Sequence, residues 1–191
     1  MRYLLTLLSL AALAQQQPTR ILVAYHSDTG NTEKLAQAVQ KGAASVAGVE
    51  VTLRKVAEVQ DPEILKADGI LVGTPVHWAN ASTETRRFLD RVGGTLWKTK
   101  TNGDGRTAGA FCTGGHPAMG KDQARLSILS AFLIMRFTVI GGVEAQGFGT
   151  FGPEATTGPS DAGVSEAELD EARRSGERFA RLTRQFRGGR P

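Results

Sequence analysis

The sequence predicts an α/β fold: a five-stranded parallel sheet covered by helices on both faces. Three observations predict it. Short apolar runs alternate with helical patterns along most of the chain. The runs at 21–25 and 69–73 are apolar or small throughout, as in strands buried on both faces. The runs ending near 25, 73 and 112 each lead into a loop rich in Gly, Thr, Asn or His. In open sheets of this class, ligands bind outside the carboxyl ends of the strands. A length of 191 residues suits one domain, placed here at 20–187.

The chain opens with Arg2 and an apolar stretch, 3–14, broken only by Thr6 and Ser9. That is shorter than the roughly 20 residues a spanning helix needs. Ala12-Leu13-Ala14 is a small-x-small cleavage pattern, and polar Gln15-Gln16-Gln17 follows. Residues 1–14 read as a signal peptide cleaved near Ala14. The expected address is periplasmic or secreted, with no membrane span in the mature chain. If the segment is not used, the protein stays cytoplasmic.

Residues 20–25 form the first expected strand. A helix is expected over 33–47, with Leu35, Val39, Gly42, Ala43 and Val46 at helical spacing and Gly48 as its stop. The segment 49–56 alternates as a second strand, and 61–66 allows a short helical turn. A third strand covers 69–73, where Thr74-Pro75 is expected to break it. A helix over 83–92 turns Phe88, Leu89 and Val92 inward and stops at Gly93-Gly94. After a turn at 102–105, strand four spans 107–112, a helix 123–133, and strand five 137–140. The Gly- and Pro-rich stretch 141–163 has no period and reads as a long irregular loop. The last helix opens with a capping box, Ser165 to Glu168. Its inner face carries Leu169, Ala172, Gly176, Phe179, Thr183 and Phe186.

The formal net charge of +4 is mild, and the basic residues are dispersed apart from Arg181, Arg184, Arg187 and Arg190. These fit a solvated helix face. No helix-turn-helix, zinc-finger or RNA-reading signature is present, so no nucleic-acid partner is expected. Cys112 is the sole cysteine, which rules out an intramolecular disulfide and a cysteine-type metal site. It reads as a small buried hydrophobe. The histidines share no helical ligand spacing, so no metal is expected.

The candidate site lies in the loops after strands one, three and four. Ser27-Asp28-Thr29-Gly30-Asn31-Thr32 leads from a strand into a helix start. Free backbone N–H groups and the helix dipole there favour an anion. The loop offers hydroxyls but no Lys or Arg, which suits a phosphomonoester held by hydrogen bonds. All three histidines, His26, His77 and His116, lie in or beside these loops, as does Trp78. Trp78 offers a stacking wall for a flat conjugated ring. Gly114, Gly115 and Gly120 let backbone N–H groups approach a ring edge. The set suits flavin mononucleotide (FMN). His77 and His116 are the candidate catalytic groups, as hydrogen-bond or proton donors.

The hexapeptide resembles the flavodoxin phosphate-loop pattern, Ser/Thr-x-Thr-Gly-x-Thr. Gly73-Thr74-Pro75-Val76-His77-Trp78-Ala79-Asn80, with Arg86, Phe88, Leu89, Asp90 and Gly93-Gly94, is similar to the second flavin loop of WrbA-type NAD(P)H:quinone oxidoreductases. Ala155-Thr156-Thr157-Gly158 and the start of the last helix also resemble that family. The resemblance implies a flavodoxin-like three-layer sandwich with strand order 2-1-3-4-5. It implies FMN, NADH or NADPH as reductant, a quinone as acceptor, ping-pong turnover, and a homo-oligomer, usually a tetramer. By position, Ser27, Thr29, Gly30, Asn31 and Thr32 would hold the phosphate. Thr74, Pro75, His77, Trp78 and Asn80 would flank the ring and ribityl chain, and Thr113, Gly114 and Gly115 the ring's other side.

This chain departs from the family pattern in four places. Ile134-Met135 stands where the family commonly has a histidine. His77 replaces its arginine, the connection 60–68 is short, and a signal peptide is unusual. A one-electron carrier without turnover of its own is the alternative, and a cofactor-poor interaction module of the same fold a third.

Overall fold

The computed structural model describes residues 17–188 except 145, 159 and 161. The segment read as a signal peptide lies outside the described residues. Among the described residues, no helix is long and apolar enough to cross a membrane.

Strands β1 (Thr19–Tyr25), β2 (Val49–Lys55), β3 (Gly69–His77), β5 (Thr107–Gly114) and β6 (Thr138–Val139) run in parallel in the order β2-β1-β3-β5-β6. A two-residue strand, β4 (Asn80–Ala81), folds back on the end of β3. With β4 set aside as a hairpin partner, the order is the expected 2-1-3-4-5.

The period of two along β1 sets the layers. Ile21, Val23 and Tyr25 face one core with Leu71 and Phe111. Helix α1 (Asn31–Ala44) closes that core with Leu35 and Val39, and α5 (Glu166–Gly188) with Ala172 and Phe179. Leu22 and Ala24 face the other core with Ile70, Val72 and Ala110. There α2 (Asp61–Lys66) adds Ile64, α3 (Thr83–Lys98) Phe88 and Val92, and α4 (Lys121–Ile134) Ile128 and Phe132. Apolar burial on both faces explains the uninterrupted apolar runs in the sequence.

The structure corrects several expected boundaries. Thr74-Pro75 does not end β3, which continues to His77 and pairs with β5 through Pro75 opposite Thr113. The residue before a proline favours the extended conformation, which prolongs a strand. Gly93-Gly94 does not stop α3, which runs to Lys98 because Thr95 and Leu96 continue its buried face. Burial outweighs the roughly 1 kcal/mol per glycine that helix propensity would subtract. Phe186 is 42% exposed and does not belong to the inner face of α5.

The stretch 141–163 is not simply irregular. It holds a small hairpin, β7 (Gly142–Val143) with β8 (Gly149–Thr150), and then β9 (Glu154–Thr156). β6 pairs with the start of β5 at Thr107 and Ala108, whereas β9 pairs with its end at Cys112, Thr113 and Gly114. The fifth position of the sheet is therefore built from two pieces, and β9 brings a further segment to the carboxyl edge. The expected capping box forms: Ser165 N–H donates to Glu168 Oε2 at 2.8 Å, and Glu168 N–H donates to Ser165 Oγ at 3.4 Å.

Candidate functional site

Because β1, β3, β5 and β9 are parallel, their carboxyl ends meet on one edge of the sheet. Helix α1 starts there on Gly30, whose φ of 91° turns the chain into the helix and which as N-cap offers no side-chain cap of its own. The start of a helix, with its dipole, favours an anion. Nothing lies within 4 Å of the point where a Cβ on Gly30 would project. The loop itself is braced: Gly30 N–H donates to Ser27 Oγ at 3.1 Å, and Asn31 Nδ2 donates to Thr29 Oγ1 at 3.0 Å.

Two predicted contact residues lie deeper than expected. Thr32 is 1% exposed, and its hydroxyl lies 2.8 Å from Thr113 Oγ1, tying the helix start to β5. Thr74 is fully buried, and its Oγ1 accepts from Ser82 N–H at 2.9 Å, fixing the entry to α3. Their side chains bind the loops together. Gly114 is buried beside Thr113, and Gly115 sits at the rim, 3.9 Å from the Gly158 carbonyl at its would-be Cβ.

The second loop is a tight hairpin with His77 opposite Asn80. Its two central residues take left-handed conformations, Trp78 at φ 50° and Ala79 at φ 62°. Such turns usually call for Asn and Gly, so this one is strained. The turn throws Trp78 outward, 94% exposed, while Asn80 Nδ2 donates to the Trp78 carbonyl at 3.0 Å. Ala79 packs on Gly120, the residue that opens α4.

The histidines divide. His77 Nε2 donates to Asp28 Oδ2 at 3.1 Å, joining the ring loop to the phosphate loop. His26 reaches the other oxygen of the same carboxylate at 3.3 Å. His116 stands apart: it is exposed, and its Nδ1 accepts from Ala118 N–H at 3.2 Å within its own loop.

Sequence reasoning missed three contributors. Asp28, which carried no assigned role within the hexapeptide, bridges two histidines. Thr156 and Thr157 form a fourth wall, with Thr157 N–H donating to the Gly114 carbonyl at 2.9 Å. Lys121, 5% exposed behind that wall, bonds Thr156 Oγ1 at 2.5 Å and Glu154 Oε1 at 2.6 Å. The capping pattern and the Ala155–Gly158 likeness hinted at the fourth wall. No local signal marked the other two.

Cys112 is fully buried under this edge. Burial pushes its thiol up to about 12, with Arg125 opposing, which removes it as a nucleophile.

A glycine-opened helix start, open space in front of Gly30 and three further loops delivered to the same edge fit a flat, phosphorylated ligand such as FMN. A family model described as flavodoxin matches residues 23–116. A flavodoxin from Aquifex aeolicus is 36% identical over 174 residues, covering 90% of this chain and 90% of that protein. The chain belongs to the flavodoxin family. Within the wider group of similar proteins, an NAD(P)H dehydrogenase (quinone) from Acidithiobacillus ferrooxidans is 30% identical, covering 89% of this chain and all of that protein. Among solved structures, a flavodoxin, WrbA-like protein from Agrobacterium tumefaciens superposes with a TM-score of 0.69 at 24% identity, covering 88% of this chain and 99% of that one. For this flavodoxin-family chain the last likeness bears on the fold. The expected sandwich and strand order agree with it.

Proposed function

We propose that this protein binds FMN at the carboxyl edge of its sheet and reduces quinones with NADH or NADPH. One observation carries the reading: the glycine-opened start of α1 has open space before Gly30 at the sheet edge where β3 and β5 also deliver the Trp78 hairpin and the 113–115 loop. Kinship with an NAD(P)H dehydrogenase (quinone) supports the donor and acceptor. Backbone amides of Gly30, Asn31 and Thr32, with the hydroxyls of Ser27 and Thr29, would hold the phosphate. Trp78 would offer its exposed face to the ring, with Pro75, His77 and Asn80 beside it and Thr113, Gly114 and Gly115 opposite. When bound, FMN supplies two-electron hydride chemistry, and the protein supplies binding, orientation and electrostatics. His77 sits where it can hydrogen-bond a quinone oxygen, its ring held by Asp28. His116, with its ring nitrogen engaged locally, would contact substrate only at the rim.

Binding of FMN to refolded protein, followed by quenching of flavin fluorescence, tests the site. Because Thr32 is buried and Thr29 is not, Thr29→Leu is the cleaner probe. It is expected to weaken FMN binding at least tenfold, about 1.4 kcal/mol, with thermal stability retained. Unchanged affinity would count against the phosphate assignment.

A one-electron carrier is the second reading, favoured by kinship with a protein named flavodoxin. Direct reduction of the bound flavin by NADPH separates the two. Export and assembly belong to the same proposal. The apolar 3–14 segment supports a mature chain beginning near Gln15. Exposed Trp97, Leu133 and Ile134 at the ends of α3 and α4 support self-association. Native mass spectrometry of the secreted protein reads both: a full-length monomer would refute them.

A further inference from the structure

Asp28 is a negative charge two residues from Gly30, in a loop that has no Lys or Arg to balance a phosphate. The structure surrounds that carboxylate with imidazoles. His77 Nε2 lies 3.1 Å from Oδ2, and His26 Nε2 lies 3.3 Å from Oδ1. The two rings meet edge to face with centroids 6.2 Å apart. The second ring nitrogen of His26 also faces oxygens: Nδ1 is 2.9 Å from Ser82 Oγ and 3.6 Å from Glu84 Oε2, in the first turn of α3. Ser82 Oγ also bonds Thr85, donating to its Oγ1 at 2.9 Å and accepting from its N–H at 3.3 Å, which fixes the hydroxyl beside His26. One nitrogen of His26 thus faces the Asp28 carboxylate and the other faces Ser82 Oγ and the Glu84 carboxylate.

Other charged groups stand nearby: Lys34 follows in the first turn of α1, and Arg87 and Arg91 line one pocket with Glu84. Glu33, in the first turn of α1, is turned to the Tyr25 hydroxyl, which also feels Glu58. Among the described residues, no Lys or Arg comes within ion-pair distance of Asp28, Glu84, His26 or His77. With both imidazoles neutral, the cluster presents the negative charges of Asp28 and Glu84 to the phosphate loop. With both protonated, those charges are cancelled.

We propose that His26, Asp28 and His77 form a proton-dependent counter-charge for the phosphate loop, so that preference for a phosphorylated over an unphosphorylated flavin is set by histidine protonation. The inference rests on the flavin reading above. It makes Asp28 and His26 positioning residues, acting through His77 and through the field at the helix start. Its sign is distinctive. An imidazole changes charge between pH 5 and 8, and a bound phosphate favours the protonated ring. Affinity for the phosphate therefore stands highest at low pH and falls as the rings deprotonate. The phosphate's own second ionisation, near pH 6, adds charge as pH rises and works in the opposite direction at a helix N-terminus.

The test measures the affinities of the full mature protein for FMN and for riboflavin at about pH 5.5 and about pH 8.5. The ratio of the two isolates the phosphate. In the wild type the preference for FMN is expected to fall about tenfold across that interval. In a His26→Gln/His77→Gln double variant the fall should vanish. Asp28→Asn, which removes the charge with little change of shape, should bind FMN more tightly than wild type at the higher pH. A wild-type ratio that stays flat or rises with pH overturns the proposal, as does a fall that survives in the double variant. Should the double variant not fold, Asp28→Asn decides alone, and no gain at high pH overturns the idea. Wild-type protein that binds neither flavin refutes the flavin reading itself, an outcome distinct from binding both with a pH-indifferent ratio.

Discussion

Cys112 shows how its neighbours decide a residue's chemistry. It lies on β5 opposite Thr74 and Glu154, fully buried, with Sγ directed at the Lys121 carbonyl 3.6 Å away. A thiol raised from 9.0 to about 12 stays protonated at neutral pH. Native protein should therefore not react with a disulfide-exchange reagent at neutral pH, whereas denatured protein should titrate one thiol; rapid native labelling would contradict the burial. The same shift fixes a direction for stability. A folded-state value above the unfolded one gives a contribution that is complete below pH 9 and is lost as pH rises toward 12. Tyr25, raised from 10.0 to about 12 by burial and then by Glu33, adds to the loss. A plot of unfolding midpoint against pH should slope downward through that alkaline window.

At this scale the sequence was readable where the chemistry is local. The loop from Ser27 to Thr32 announces a helix start by its own composition, and the structure puts a glycine-opened helix there. The tie between His77 and Asp28 joins residues 49 apart, and no pattern in either segment carries it. Thr32 and Thr74 were readable as members of the site. Their burial was not, because it depends on Thr113 and Ser82 arriving from other elements.

Between elements, the crossing of α1 and α5 depends on two glycines. A Cβ on Gly176 would lie 2.1 Å from the Val39 carbonyl oxygen, and one on Gly42 would lie 1.9 Å from that of Arg173. Backbone approaches backbone at both points, so no flexible side chain can give way. Gly176→Val should force the helices apart and cost about 1–3 kcal/mol, measured by urea denaturation. Because α1 carries the phosphate loop, FMN affinity should fall with it. A fully stable Gly176→Val protein would mean the helices are not in this contact.

The elements most visible in the sequence are the uninterrupted apolar runs of β1 and β3 and the helical spacing of α1 and α5. The divided fifth strand was hidden. β9 is three residues long, and it is held by its pairing with β5, by buried Ala155, by Thr156 N–H donating to Glu168 and by the ties of Glu154 to Lys121 and Arg125. Both cations come from α4, and sequence periodicity does not register such long-range charge pairing. Gly93-Gly94 misled for a related reason, since the burial of Leu96 is a property of the assembled core.

For the whole molecule, the fold acts by convergence. Parallel strands carry four loops to one edge, and the two cores hold that edge rigid from either side. The proposed work of the site follows from this placement: a helix start for a phosphate, an exposed indole for a ring, and a histidine fixed by a carboxylate. The most direct measurement is the visible absorption of FMN-loaded protein before and after anaerobic NADPH, with a quinone added last. The account predicts a bound-flavin band that NADPH bleaches and the quinone restores. A protein that holds FMN but keeps its band unchanged with both NADPH and NADH would contradict it.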